Sequence, residues 1–536
     1  MHLTQGAHVA VDLIIRNGTI VDGTGGEPRV SDLAIEGGKI TAIELIPEGA
    51  EAKQTLDAGG CFVAPGFIDV HTHSDYTVLA CPTCDSKMHQ GVTTEIIGNC
   101  GFSCVPLRGQ MLERERREIE ELGLTPDWDD LASYRRRLEK SGHSFNVAVL
   151  VGNGNLRGVT CGLGNVQADK AILKEQVREL ESALDAGALG MSSGLIYTPS
   201  KWADLDELVA LANVLKRYGA IYTSHIRGEG DTLIEAVDEC LAVGAHAGVR
   251  VQVSHLKASG KRNWGKVETC IEKITKSNEK DRWVRFDKYP YTASSTSFST
   301  LLPDWVRDGT PDQLVERLSD KSRRAEITAH AESTMEADGG WAGTIIADPA
   351  CDEFRETAGL RVAEAAEQAG LKPGDFFIDL LIASRVGAGM SPFTQSQAET
   401  DMVLNHPWGM VGSDASVRAP TGPTSIGCPH PRAYGTYPRF LRRHVRELGS
   451  LTIEEAVRKM TLLPAEMFGL KDRGELTRGK AADVVVFDLE RVNDPSDFAA
   501  PHQLAEGFRH VVVNGKAVVI DEKHTGATPG TYLERA

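Results

Sequence analysis

Short runs of apolar, often β-branched residues alternate with longer amphipathic stretches through the middle of the chain. Stretches 169–186, 204–218 and 231–244 have helical periodicity. Strands that alternate with helices indicate a parallel sheet, and a closed (β/α)8 barrel needs eight strands. The pattern therefore predicts an α/β fold with a TIM-type (β/α)8 barrel. Its eight predicted strands are residues 67–70, 93–98, 146–151, 188–192, 221–224, 251–254, 283–287 and 410–413.

The two ends of the chain have a different pattern, in which short apolar runs are separated by turn residues. Asn17-Gly18 and Asp22-Gly23 predict turns between early strands, and Asn514-Gly515 predicts a hairpin near the C-terminus. We therefore expect both ends to form one small β-sandwich domain. The gap between the last two barrel strands is too long for one crossover and predicts an inserted lid. The predicted division is residues 1–60 plus 472–536 for the sandwich, 61–471 for the catalytic barrel and 298–406 for the insertion within it.

Composition narrows the classes of protein that fit. The chain has 536 residues, with 58 Lys and Arg against 75 Asp and Glu and a net charge of −17. An acidic chain without a basic stripe disfavours a nucleic-acid partner or an anionic membrane surface. No apolar stretch is long enough to span a bilayer and the first residues do not form a signal peptide, so a cytoplasmic location is expected. The ten cysteines are then expected to be reduced.

Potential metal ligands follow the predicted strands at the points where they end. The carboxyl ends of barrel strands converge on one mouth, so residues far apart in the sequence would meet there. In a His-x-His pair both imidazoles lie on the same side of an extended backbone and can bind one ion. A single histidine is more often an ordinary polar residue, but five strand ends carry such groups. They are His71 and His73, Cys100, His225, His255 and Asp414.

Several motifs in the same order resemble those of the N-acyl-D-amino-acid deacylase (D-aminoacylase) family of the amidohydrolase superfamily. The resemblance extends from about residue 11 to residue 519. It implies a metal-dependent hydrolase that acts on linear amides, with a small-molecule N-acyl amino acid as its partner. The motifs that carry it are residues 64–75 (APGFIDVHTHSD), 98–103 (GNCGFS), 254–257 (SHLK), 263–266 (NWGK), 287–291 (DKYPY), 412–414 (GSD) and 481–488 (AADVVVFD).

The resemblance implies a zinc site with one tightly bound ion and room for a second, weaker one. Cys100, His225 and His255 would hold the first zinc, a mixed sulfur and nitrogen set that suits this metal. His71, His73 and Asp414 would hold the second, with Cys100 as the bridging ligand. Residues 191–194 (MSSG) offer no lysine for the carboxylated bridge that is common elsewhere in the superfamily. The nearby Cys104 is expected to be an ordinary packed thiol.

The resemblance also implies catalytic and substrate-binding residues. Asp414 would take a proton from water and pass it to the leaving amine, and Tyr197 would support the oxyanion. Lys257, Tyr291 and Arg432 would bind the substrate carboxylate, with the arginine as a bidentate donor. The implied reaction is zinc-dependent hydrolysis of N-acyl-D-amino acids to a carboxylate and a free D-amino acid.

The sequence departs from the family pattern at two places and leaves two other functions open. Asn153 stands where the family pattern has a histidine, and the loop 420–424 is long and rich in Pro and Gly. One alternative is hydrolysis of a cyclic amide, as in hydantoinases and dihydroorotases, although the Cys100 motif and the missing lysine count against it. Another is a non-catalytic assembly protein on the same scaffold. The sequence does not decide the preferred side chain or the oligomeric state.

Overall fold

The computed structural model describes residues 11–280 and 283–535, and strands make up three sheets within these ranges. In chain order they are β1 Val11–Ile20, β2 Arg29–Glu36, β3 Lys39–Glu44, β4 Ala52–Asp57, β5 Phe62–Pro65, β6 Phe67–Asp69, β7 Val92–Ile97, β8 Asn146–Gly152, β9 Gly190–Gly194, β10 Ile221–His225, β11 Arg250–Val253, β12 Val284–Lys288, β13 Thr296–Ser297, β14 Thr344–Asp348, β15 Gly389–Pro392, β16 Gly409–Val411, β17 Val484–Phe487, β18 Phe508–Val513, β19 Lys516–Ile520 and β20 Lys523–His524.

The predicted barrel is confirmed. Strands β6 to β12 and then β16 lie side by side in chain order as an eight-stranded parallel sheet, and each overlaps its predicted run. The three predicted crossover helices are present as Lys170–Asp185, Leu205–Tyr218 and Leu233–Ala247. The first two begin where they do because the side chains of Asp169 and Asp204 accept hydrogen bonds from backbone N–H groups of the first turn.

The helices are short to medium in length, and no helix among the described residues is long and apolar enough to cross a membrane. The α-helices are Thr77–Ala80, Asp85–Met88, Gln110–Glu121, Leu131–Ser141, Asn153–Thr160, Lys170–Asp185, Leu205–Tyr218, Leu233–Ala247, Lys266–Asn278, Asp304–Arg307, Pro311–Leu318, Arg324–Thr334, Val362–Gln368, Pro373–Ala383, Gln397–Asn405, Arg432–Phe440, Ile453–Met460 and Leu462–Phe468.

The first and last barrel strands, β6 and β16, meet through the residues that follow them. The backbone N–H of Asp414 donates to the carbonyl oxygen of His71 at 2.7 Å, and Thr72 and Ala415 form a parallel bridge. The N–H of Ser413 donates to Oδ1 of Asp69 at 2.9 Å. This seam nearly closes the barrel and brings the His-x-His segment beside Asp414.

A buried lysine reinforces the seam. Lys87 Nζ lies 2.8 Å from Oδ2 of Asp69, 2.7 Å from Oγ of Ser413 and 3.0 Å from Oε1 of Glu95. Burial opposes the charge of the ammonium, but the two carboxylates outweigh it and raise the pKa of Lys87. Because the three groups come from β6, β7 and the end of β16, the two ion pairs and the hydrogen bond to Ser413 fix these elements relative to one another.

The terminal sheet takes strands from both ends of the described chain, in the order β20-β19-β18-β17-β5-β1-β2-β3, with β4 paired to β1. The Asn514-Gly515 hairpin is confirmed, with φ of 48° and 77° at its two turn residues. The predicted turn at Asn17-Gly18 is wrong. Asn17 adopts a left-handed φ of 62° inside β1, and the strand pairs with β2 on both sides of the irregularity. An asparagine tolerates this conformation, so the chain forms a bulge there instead of reversing.

The segment between β12 and β16 forms a separate cluster of buried apolar residues from the three-stranded sheet β13-β15-β14 and its helices. Helices Pro311–Leu318 and Val362–Gln368 belong to this segment. The segment returns to the barrel mouth at Thr394, whose carbonyl accepts from Gly260 N at 2.9 Å and from Trp264 Nε1 at 3.1 Å. The insertion therefore contacts the loops that follow β11.

We expect one buried histidine to make stability depend on pH. Burial beneath the C-terminal segment lowers the pKa of His143 to about 4, and its carbonyl accepts from Gly530 N at 2.8 Å. The unfolded chain would take up a proton near pH 6.5 that the native chain refuses until about pH 4, so stability falls as the pH falls through this window. At pH 5 the loss from this group is about 2 kcal/mol.

Urea unfolding at pH 7.5 and pH 5 should show this difference in the wild type, and His143→Gln should lose about 2 kcal/mol less between the two values. The same substitution at the exposed His246 is the matched control and should behave like the wild type. An equal loss in His143→Gln and the wild type would contradict the assignment.

Candidate metal centre

The potential ligands lie at the carboxyl ends of five barrel strands, as the sequence predicts. Their backbone is unusual, because Cys100, His255 and Asp414 have positive φ values of 53°, 37° and 52°. Residues other than glycine rarely adopt this region, and such strain is concentrated at functional sites. The local turns direct these three side chains inward from the strand ends, and all three are buried.

The first group consists of His71, Cys100, His255 and Asp414, whose potential ligand atoms all lie within 4.8 Å of one another. His71 Nε2 is 3.2 Å from Cys100 Sγ and 3.4 Å from Asp414 Oδ1. Cys100 Sγ is also 3.7 Å from His255 Nε2. His73 joins through Nε2, which lies 3.0 Å from Asp414 Oδ1. Five of the six predicted ligands are thus brought together.

His225 completes the set. Its ring centroid lies 4.4 Å from that of His255, and neither of its buried ring nitrogens has a hydrogen-bond partner among the described residues. Leaving a buried polar group unpaired is costly, so these nitrogens fit a metal ligand better than a structural histidine. The mixed thiolate, imidazole and carboxylate donors are those that zinc takes in proteins.

The charges of the cluster favour anionic donors. Burial opposes the Cys100 thiolate, but the imidazoles of His71, His225 and His255 outweigh it and hold the pKa of Cys100 well below its ordinary value. By contrast, burial raises the pKa of Cys104 well above the ordinary value, so it stays a thiol.

The carboxylate of the cluster is ionised for a similar reason. Burial alone would raise the pKa of Asp414, but the Arg432 guanidinium and the neighbouring histidines hold it well below its usual range. Arg432 Nη1 lies 2.8 Å from Asp414 Oδ2. The loop 420–424 therefore does not separate Arg432 from Asp414.

Two acidic residues that were not predicted from the sequence contact His71 and His255 through the ring nitrogen that faces away from Cys100. His71 Nδ1 lies 3.0 Å from Asp287 Oδ2, and His255 Nδ1 lies 3.0 Å from Glu229 Oε1. Asp287 is the last residue of the predicted strand 283–287, so its position at a strand end carried a signal. Glu229 carried none, because it lies in a loop four residues after His225.

The residues expected to bind the substrate carboxylate are only partly brought together. Lys257 and Arg432 are buried beside the metal cluster. Tyr291 is not with them, because its ring packs 4.1 Å from the Arg439 guanidinium and its hydroxyl faces the Pro431 carbonyl at 3.5 Å. Tyr289 lies there instead, with the Arg432 guanidinium 4.6 Å from its ring centroid.

Tyr197 lies at the edge of the cluster, with its ring 4.9 Å from that of His225 and its hydroxyl 3.0 Å from Thr296 Oγ1 in β13. Asn153 contacts the segment that follows β9, where its Oδ1 accepts a hydrogen bond from Ser200 Oγ at 2.7 Å. Ser200 Oγ in turn accepts from Gly194 N at 3.1 Å. Asn153 thus supports the segment that carries Tyr197.

Comparison with known proteins identifies the family. The Amidohydrolase family profile matches residues 54–519. This chain belongs to the amidohydrolase family. Among its relatives from Alcaligenes xylosoxydans xylosoxydans, N-acyl-D-glutamate deacylase is 37% identical over 98% of this chain and 97% of its own, and D-aminoacylase is 32% identical over 99% of both. These relatives place the amidohydrolase in the N-acyl-D-amino-acid deacylase branch that its motifs resemble.

Solved structures agree. N-acyl-D-glutamate deacylase from Bordetella bronchiseptica, complexed with zinc and a phosphonate mimic of the tetrahedral intermediate, matches with a TM-score of 0.83 and 33% identity over 98% of this chain and 100% of that one. A D-aminoacylase structure matches with a TM-score of 0.82 and 30% identity over the same shares. An L-hydantoinase from Arthrobacter aurescens, at 16% identity and a TM-score of 0.57, shows the fold alone.

Proposed function

We propose that this amidohydrolase catalyses zinc-dependent hydrolysis of the amide bond of N-acyl-D-amino acids, releasing a carboxylate and a free D-amino acid. The observation that carries the proposal is the buried Cys100–histidine–Asp414 cluster, which lies directly beside the cationic pair Lys257 and Arg432. The cluster can bind a metal that acts on an amide, and the two cations beside it can bind a carboxylate. This arrangement suits a substrate that has both an amide and a free carboxylate. The deacylase relatives support the same reaction.

The residues of the cluster would hold zinc in two positions. Cys100, His225 and His255 would hold a tightly bound ion, and His71, His73 and Asp414 a second, weaker one with Cys100 between them. Zinc in such a site lowers the pKa of water and polarises a carbonyl group. The orphaned nitrogens of His225 and the lowered pKa of Cys100 support this assignment.

Asp414 is the proposed proton carrier. It is buried, its lowered pKa keeps it ionised at neutral pH, and it lies within 3.4 Å of two histidines of the cluster. A carboxylate there can accept a proton from the attacking water and deliver it to the departing nitrogen. Tyr197, at the edge of the same cluster, is the proposed hydroxyl donor to the oxyanion.

The proposed receivers of the substrate carboxylate are Lys257 and Arg432, with Tyr289 in the place first predicted for Tyr291. Lys257 offers single ammonium donors, while Arg432 offers a planar fork that matches a carboxylate. Tyr289 hydroxyl is held by Gln395 Nε2, which donates to it at 3.1 Å. These side chains come from the ends of three different elements, so the barrel mouth fixes their spacing.

Replacement of the Arg432 guanidinium should weaken substrate binding. We expect Arg432→Lys to lower kcat/KM about 10- to 100-fold, because a hydrogen bond to a charged group is worth about 1.5–3 kcal/mol. The rise in KM for N-acetyl-D-amino acids measures the effect. Arg443→Lys, which alters an ion pair with Asp401 away from the cluster, is the matched control. A KM for Arg432→Lys within twofold of the wild type would remove Arg432 from the substrate site.

The reaction is tested by measuring free-amine release from paired N-acetyl-D- and N-acetyl-L-amino acids, on enzyme whose zinc content is determined in the same sample. Hydrolysis confined to the D series supports the proposal. Turnover of the L series at an equal rate would contradict the stereochemical part. A zinc-loaded protein that hydrolyses neither series but opens a hydantoin ring would favour the cyclic-amide alternative.

The same proposal includes the division of the chain into a terminal β domain of residues 1–60 plus 472–536, a catalytic barrel of 61–471 and an insertion of 298–406. The insertion has an apolar cluster of its own, and so does one face of the terminal sheet, whose other face packs into the barrel cluster through residues of β17 to β19. Since the insertion supplies Gln395, which donates to the Tyr289 hydroxyl beside the cluster, its side chains are candidates for selecting the substrate side chain.

A further inference from the structure

Glu229 contacts both halves of the proposed site with one carboxylate group. Its Oε1 lies 3.0 Å from Nδ1 of His255 and 2.5 Å from Nζ of Lys257. Its Oε2 lies 3.9 Å from Nε2 of His225. The side chain is 13% exposed, so water screens these contacts little. Two proposed zinc ligands and one proposed substrate receiver therefore share an acidic neighbour that has no assigned role in the reaction.

The orientation of His255 gives this carboxylate a specific task. Nε2 of His255 faces Cys100 Sγ at 3.7 Å, while Nδ1 faces Glu229. A neutral imidazole that ligates a metal through Nε2 carries its proton on Nδ1, and that N–H needs an acceptor. Glu229 Oε1 lies at hydrogen-bond distance. The Lys257 ammonium, 2.9 Å from the same nitrogen, has only donors and cannot take this place.

Lys257 needs the same carboxylate. Its side chain is 4% exposed, and an isolated buried ammonium is costly to keep charged. Without Glu229, the Lys257 ammonium would keep only a long 3.4 Å contact with the His255 carbonyl, and the N–H of His255 would face another donor. His225, Glu229 and His255 are also close enough together to hold a metal ion. The Lys257 ammonium already lies against Glu229 and His255, so this group does not need a metal ion to balance its charge.

We infer that Glu229 is a positioning residue that serves the metal and the substrate together. It accepts the Nδ1 proton of His255, which directs Nε2 toward the metal, and it anchors the Lys257 ammonium where the substrate carboxylate would lie. The inference rests on the proposed function for its substrate half, whereas its metal half is independent of the reaction.

The test is Glu229→Gln in the full-length, zinc-loaded enzyme. Glutamine keeps the shape but has one acceptor oxygen, and its NH2 group would face a donor of either Lys257 or His255. We expect the zinc dissociation constant, measured by competition with a chelator, to rise about 10- to 100-fold, the usual effect of losing a partner behind a ligating histidine. KM for N-acetyl-D-amino acids should rise as well. In Lys257→Met only KM should rise, with zinc affinity within threefold of the wild type.

Two further variants make the result decisive. Glu239→Gln breaks the ion pair that anchors the same loop through Arg227, at 2.9 Å, and should leave zinc affinity unchanged. Glu229→Asp keeps the charge but withdraws it by one methylene, so its zinc affinity should fall between those of the wild type and Glu229→Gln. It also provides a second measurement if the glutamine variant does not fold.

Zinc affinity in Glu229→Gln or Glu229→Asp that equals the wild type, or that falls no further than in Glu239→Gln, would overturn the inference. If the wild type hydrolyses no N-acyl amino acid, the proposed function fails, but the zinc measurements still decide the role of Glu229 toward His255.

Discussion

Asp414→Asn is expected to lower kcat for N-acetyl-D-amino acids by about 1,000-fold, because positioned acid–base groups contribute about 10²- to 10⁴-fold. The amide of asparagine can still contact His73 and Arg432, but it cannot accept a proton from water at neutral pH. The tightly bound zinc should remain, since Cys100, His225 and His255 are intact. Steady-state kinetics and zinc content on the same preparation give both quantities.

Asp231→Asn is the matched control for this variant. Asp231 is an exposed carboxylate that pairs with Arg262 at 2.7 Å, in a loop at the same end of the barrel. Its replacement should leave kcat within twofold of the wild type. A kcat for Asp414→Asn within tenfold of the wild type, at full zinc occupancy, would show that another group carries the proton.

Cys100→Ala should remove both the metal and the activity. The thiolate is the only sulfur donor of the cluster and lies 3.2 Å from His71 and 3.7 Å from His255, so its loss affects both proposed metal positions. Even losing an outer partner of a ligand costs about 10- to 100-fold in metal affinity. We therefore expect zinc affinity to fall by more than about 100-fold, as measured by competition with a chelator.

Cys104→Ala provides the matched control, because Cys104 is equally buried and lies four residues away. Its pKa is raised by burial, so it is a neutral packing thiol. This variant should keep its zinc and its activity, with at most a modest loss of stability from the small cavity. Stoichiometric, tightly held zinc in Cys100→Ala would contradict the ligand assignment.

The barrel and the positions of its potential ligands could be predicted because both follow from simple periodicity. Buried parallel strands are continuous apolar runs, and the polar residue that ends each run lies at the mouth. Cys100, His225 and His255 could therefore be placed at the mouth without knowledge of contacts between strands.

What could not be predicted depends on geometry beyond the strand ends. Tyr289 and Tyr291 are both buried aromatic residues after β12, and Pro290 between them interrupts the extended alternation that would put them on one face. The Asn17-Gly18 pair suits a β-bulge as well as a hairpin turn, so these two residues alone do not distinguish the two structures. Glu229 is only one of many acidic residues until the fold places it behind His255.

The seam between β6 and β16 has a consequence for how the protein is made. His73 and Asp414, which meet there, are 341 positions apart in the chain. Contacts over so long a separation are late and entropically costly to form. The complete donor set exists only after most of the polypeptide has left the ribosome and its last barrel strand has docked. The second, weaker metal position, which needs both His73 and Asp414, would therefore form only in a finished barrel.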